Sequence, residues 1–128
     1  MRSWSSFHRE RRRAFLFLLL VGLLPCVASA HPLDDIARQW DRGSYDSPGE
    51  SLQAHFDKHG REVNAADPAS YARKAEEMLR QVRGDRWQSG TSVEGYTPDV
   101  RRFVRGDRYI DVYRTSSDMR LIISFGRR

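Results

Sequence analysis

The chain predicts an α+β domain, with N-terminal helices packed on a C-terminal three- or four-stranded antiparallel sheet. Three observations lead there. Two stretches open on a capping residue followed by proline, Ser47-Pro48 and Asp67-Pro68, and each continues with apolar residues at helical spacing. After about residue 95 the pattern changes to short runs, "VRRFVR", "RYIDVYR" and "MRLIISF", rich in β-branched and aromatic residues. "GD" and "TSSD" stand between these runs as turn signals that join antiparallel neighbours.

Residues 1–30 are read apart from the fold. Arg9, Arg11, Arg12 and Arg13 precede the apolar run "AFLFLLLVGLL", and "VASA" supplies small residues at its end, which is the layout of a secretory signal peptide. The run is about a dozen residues, short of the roughly 20 that cross a bilayer, so no stable membrane span is expected once the leader is removed. The expected product is exported, periplasmic or secreted. Cleavage after Ala30 leaves residues 31–128, 98 residues, enough for one small domain. The single cysteine, Cys26, leaves with the leader, so thiol nucleophiles, zinc-thiolate sites and disulfides drop out together.

The leader also carries most of the net charge. Five of the 22 Lys and Arg and one of the 17 Asp and Glu lie in residues 1–30, which leaves 17 basic against 16 acidic, or +1. That remainder is uneven: residues 31–70 hold 4 basic and 8 acidic side chains, residues 71–128 hold 13 and 8. A basic C-terminal half fits a polyanion-binding face.

Within the mature chain, residues 31–50 are expected to form a short helix and linker, and 51–128 the functional domain. Leu33, Ile36, Ala37 and Trp40 at helical spacing, closed by Gly43, predict an amphipathic helix, and "SYDSPGE" a linker. From Pro48 a helix runs to His59, with Leu52, Phe56 and His59 on one stripe and Gly60 as a left-handed stop. From Pro68 a second helix places Tyr71, Ala75, Met78, Leu79 and Val82 on one face and ends before Gly84. In the last strand Met119, Leu121, Ile123 and Phe125 are expected to face the helices, with Arg120, Ile122 and Ser124 on the other face.

The chemistry centres on "SLQAHFDKHG". On a helix, His55 and His59 share a face and Lys58 stands three residues from His55. Two histidines so spaced can share a metal ion, but zinc needs a further protein ligand, H-E-x-x-H is absent, and a lysine between them disfavours a dication. As acid and base the pair suits proton transfer near neutral pH, with lysine and arginine charge beside a phosphorane. The bland alternative is that His59 serves as a C-terminal dipole partner and His55 packs. On the sheet, Arg101, Arg102, Arg105, Arg108 and Arg114 interleave with Phe103, Tyr109 and Tyr113, suited to phosphates and stacked bases. Singly, each such arginine is a solvated strand residue. Ser124, out of phase with the core face, can donate to a phosphate, or equally be an edge residue with no role.

In this order, "SLQAHFDKHGREVNAADPASYARKAEEML" followed by "TPDVRRFVRGDRYIDVYRTSSDMRLIISFG" resembles the C-terminal toxin modules of bacterial contact-dependent and polymorphic toxin systems. The likeness covers about residues 51–126. Such modules are grouped with the barnase, EndoU, colicin and RelE-like ribonucleases, small α+β folds. The resemblance implies a metal-independent, cofactor-free endoribonuclease toxin, acting as a monomer on RNA and restrained by a small acidic immunity protein. His55, Lys58 and His59 match its helical motif, Tyr109 and Asp111 its penultimate strand, and Ser124 its last. The expected catalytic set is therefore His55, Lys58, His59 and Ser124. The expected substrate-binding set is Arg101, Arg102, Tyr109 and Arg114, and no metal ligand is assigned.

Two other readings stay open. A periplasmic interaction module would use the basic sheet on an anionic partner, with structural histidines. A copper protein would chelate through the new amino terminus and ring of His31, with His55 or His59 completing the site.

Overall fold

The computed structural model describes residues 30–128. All of the expected leader except Ala30 lies outside the described residues. The architecture is α+β: two helices, α1 (Pro48–His59) and α2 (Pro68–Val82), precede a sheet of β1 (Thr91–Ser92), β2 (Val100–Arg105), β3 (Arg108–Arg114) and β4 (Arg120–Arg127). The strands pair antiparallel in the order β1-β2-β3-β4, a meander with a very short first strand. Among the described residues no helix is long and apolar enough to cross a membrane.

Both helices start where their sequence signals place them. The Ser47 hydroxyl accepts from the Glu50 N–H at 3.1 Å, and Pro48 fills a position whose missing N–H costs nothing. At α2, Asp67 accepts from the Ser70 N–H at 2.7 Å while the Ser70 hydroxyl accepts from the Asp67 N–H at 3.3 Å, a reciprocal cap. α2 lays Tyr71, Ala72, Ala75, Met78, Leu79 and Val82 against the sheet, whose facing residues are Phe103, Ile110, Val112, Ile122 and Phe125. Each fully buried Leu, Ile or Val there contributes about 1.5–3 kcal/mol.

Three local expectations are corrected. Residues 31–43 do not form an α-helix; a single 3₁₀ turn, Asp34–Ile36, is all that appears. The Asp34 carboxylate accepts from the His31 N–H at 3.0 Å and from the Gly49 N–H at 2.8 Å, which ties this stretch to the start of α1. Beyond the turn the chain extends to the free edge of β4, where Ile122 donates to the Gln39 carbonyl at 2.7 Å and Asp41 donates to the Ile122 carbonyl at 2.8 Å. Ala37 and Trp40 are thereby buried in the main core.

Gly60 is right-handed (φ −56°), not the left-handed stop. The chain continues into a 3₁₀ turn, Arg61–Val63, and the left-handed residue is Asn64 (φ 56°). Gly60 is required for a different reason: a Cβ there would lie 2.6 Å from ring carbons of Phe56.

The phase of β4 is also different. Asp111 pairs with Ser124 but Val112 pairs with Ile122, so Ile123 is an extra residue in a β-bulge. Ile122 consequently faces α2, fully buried, while Met119 is 57% exposed. Phe125 faces α2 and Ser124 the opposite side, because the expected alternation holds after the bulge and fails before it.

Candidate active site

The site forms where the last two turns of α1 meet the sheet face turned away from α2. Cross-strand register aligns Arg102, Asp111 and Ser124 on that face, and Tyr109 joins them two residues before Asp111. The bulge is what lets Ser124 do so while Ile122, two residues earlier, points into the core.

On α1 the His55 and His59 rings stack one turn apart, 6.4 Å between centres. His59 meets the Tyr109 ring edge-on at 6.2 Å, and the Tyr109 hydroxyl is 3.3 Å from the Ser124 Oγ. Behind His55 stand Trp40, at 5.7 Å, and Tyr45, at 6.1 Å, so the N-terminal segment supplies its backing.

Both imidazoles are held by Nδ1. The His55 Nδ1 lies 2.8 Å from the Ser51 carbonyl, which can only accept, so Nδ1 carries a proton and Nε2 makes no hydrogen bond among the described residues. The His59 Nδ1 lies 3.0 Å from the Glu62 carboxylate, again leaving Nε2 for a ligand. Glu62 is itself fixed by the Arg127 N–H at 3.2 Å, and its carboxylate and the Tyr109 ring lie so close to Gly126 that a Cβ there would meet both at 3.0 Å.

Burial drives the His55 pKa below its ordinary value. The Ser51 carbonyl opposes that shift, the charges of His59 and Lys58 add to it, and Asp111 opposes it. Burial pulls the Glu62 carboxyl upward, but the Arg127 N–H and His59 outweigh it and the net shift is down. Arg102 is held charged chiefly by its hydrogen bonds to Asp111.

Of the expected residues, the structure brings together His55, His59, Tyr109, Ser124 and Arg102. Lys58 is exposed on α1 beside them and takes part in no ion pair among the described residues. Arg102 grips Asp111 at 2.7 and 2.9 Å and lies 4.0 Å over the Tyr109 ring, so it supports the tyrosine rather than standing free for phosphate.

Arg101 and Arg114 do not join the site. Their side chains fall on the opposite face, where Arg101 donates to the Gly90 carbonyl at 2.7 Å and Arg114 lies 4.8 Å over Trp87. Glu62 is the site residue that sequence reading missed; its spacing of three from His59, beyond a glycine, was the available signal. Asp111 entered only through the resemblance, and its role as the anchor of Arg102 comes from the register.

His31 stands apart. Its Nδ1 accepts from the Leu33 N–H at 3.1 Å and lies 2.7 Å from where a Gly49 Cβ would be, beside the first turn of α1. His55 and His59 are about 9 and 15 Å further along that axis at 1.5 Å per residue. Among the described residues no three His, Cys, Asp or Glu side chains form a group able to hold a metal ion. No protein-family model, curated protein or solved structure matches the chain.

Proposed function

We propose that the domain is an endoribonuclease that cleaves RNA by acid/base transphosphorylation without a metal. The observation that carries this reading is the pair of stacked imidazoles, each anchored through Nδ1 and with Nε2 unbonded among the described residues, beside the Tyr109 and Ser124 hydroxyls.

The two anchors differ, and that difference separates acid from base. His55 is held by a neutral carbonyl, and burial favours its uncharged form, so Nε2 offers a lone pair at neutral pH. His59 is held by a carboxylate, whose charge complements an imidazolium. In this reading the His55 Nε2 takes the ribose 2′-hydroxyl proton, and the 2′-oxygen bonds to phosphorus. The bond to the 5′-oxygen then breaks as the His59 Nε2 delivers a proton to that leaving oxygen. The products are a 2′,3′-cyclic phosphate and a free 5′-hydroxyl. Lys58, one turn from His55, balances charge on the phosphorane, and Ser124 and Tyr109 donate to its oxygens.

The motif resemblance supports the same chemistry and extends it to a toxin that is exported and held in check by an acidic inhibitor. The test is incubation of residues 31–128 with RNA in excess EDTA, with end-group analysis of the fragments. Cyclic phosphate ends that vanish in His55→Ala and His59→Ala proteins are expected. Cleavage that requires added metal, or that survives both substitutions, would overturn the mechanism. Intact binding of an anionic partner by non-cleaving wild type would favour the interaction module instead.

A further inference from the structure

We propose that a groove on the α2 side of the sheet carries the flanking strand of the RNA, so that the substrate is a polymer engaged on both faces. This rests on the ribonuclease reading and names the substrate class of the same site. The groove has a volume of about 530 Å³ and lies between α2 and the tip of the β2–β3 hairpin. Arg73, Lys74 and Arg80 line it from α2, and Arg105 and Arg108 from the hairpin; Glu77 is the one acidic side chain in the lining and is taken up by Arg80. Met78 and Phe125 close its floor and are almost wholly buried, so what the groove presents is its cations.

Two features point to an anionic occupant. Arg105 and Arg108 are direct cross-strand partners, and like charges so placed repel. Asp85 and Asp107 relieve that only from outside the lining. Arg73 and Lys74 are exposed on consecutive positions and take part in no ion pair among the described residues.

The groove also interleaves with the candidate active site. Arg108 lines the groove and Tyr109, the next residue, faces His59; Phe125 lines the groove between Ser124 and Gly126, which face the other way. The two surfaces therefore share the same strand ends. The route between them crosses the hairpin tip beside the exposed Arg127 and Arg128. A single strand that leaves the candidate active site carries a charge at every phosphate and matches that run of cations. Continuity with the site is what selects RNA over an acidic protein.

The test uses residues 31–128 with Arg73→Ala, Lys74→Ala and Arg108→Ala combined. Arg73→Ala with Lys74→Ala is the second variant, since both sites are exposed on a helix where alanine is well tolerated. Three ligands are compared: a 12-nucleotide RNA blocked by 2′-O-methylation, a dinucleoside monophosphate, and polyglutamate. The triple variant should bind the 12-mer at least tenfold more weakly at low salt, with a salt dependence shallower by about 2 on the log–log plot, while cleaving the dinucleotide at the wild-type rate. Unchanged affinity and salt dependence in both variants would overturn the proposal. It is also overturned if the substitutions abolish polyglutamate binding and spare RNA, which would make the groove a docking site for an acidic protein. If wild type binds the blocked 12-mer through these residues yet cleaves neither the dinucleotide nor the unblocked 12-mer, the groove stands and the ribonuclease reading falls.

Discussion

The two faces of β3 and β4 are buried to a similar degree and built from opposite chemistry. Toward α2 stand Ile110, Val112, Ile122 and Phe125, an apolar layer with nothing to satisfy. Toward α1 stand Tyr109, Asp111 and Ser124, each 9% exposed or less and each polar. A carboxylate so buried is costly unless it is bonded, and Asp111 is, on both oxygens, by Arg102. The comparison therefore sets an apolar layer that holds the fold beside a polar layer on which the proposed mechanism would rest.

The sharpest way to break this division is to substitute each side and read both stability and RNA cleavage. His55→Ala or His59→Ala is expected to lower cleavage by about 10²–10⁴-fold, the range for loss of a general acid or base, with a small change in the urea midpoint. Should either variant unfold while the remaining folded fraction cleaves normally, the histidines belong to the fold and the division is wrong.

Ile110→Ala should do the reverse, removing about 2–5 kcal/mol of stability while folded protein at low temperature keeps its cleavage rate. Denaturant titration beside an activity assay decides between the two outcomes.

Asp111→Ala lies between these extremes. It strips Arg102 of its partner, but that arginine is 39% exposed and can reach water. The expected loss is about 1–2 kcal/mol, together with slower cleavage as Tyr109 loses its support.

The smallest effect is a dependence on pH. The His55 pKa is lower folded than unfolded, so the folded protein binds fewer protons in that window. The stability this contributes is complete above the unfolded value, about 6.5, and is lost as pH falls through the folded value. Urea midpoints from pH 7.5 to 5 should fall in wild type, and this component should be absent in His55→Gln.

Much of this division was legible in the amino-acid order. α2 declared itself through Asp67-Pro68 and a stripe of apolar residues, because its start signal and its buried face agree. His55, His59, Tyr109 and Ser124 stood out because helical spacing and strand alternation are periodic, and period can be counted. What escaped was decided by contacts remote in sequence. Residues 31–43 have helical spacing, yet the Asp34 carboxylate is drawn to the Gly49 N–H and the backbone of Gln39 and Asp41 to the edge of β4, partners that no local pattern names. Arg101 and Arg102 are adjacent and so must point to opposite faces; the alternation was readable, but which one met the site depended on register with Asp111. Glu62 carried a visible spacing from His59 but lay past a glycine expected to end the helix. The right-handed Gly60 is what keeps the two residues in reach.

Ile123 gives the strand one more residue than its partner needs. Because that surplus sits between Ile122 and Ser124, a chain shortened by this residue alone would keep every inward and outward assignment on both sides of it. What such a deletion would remove is curvature. The sheet thus offers a separation of variables, in which the face that Ser124 takes follows its pairing with Asp111 and the local bend of the strand follows from one unpaired residue.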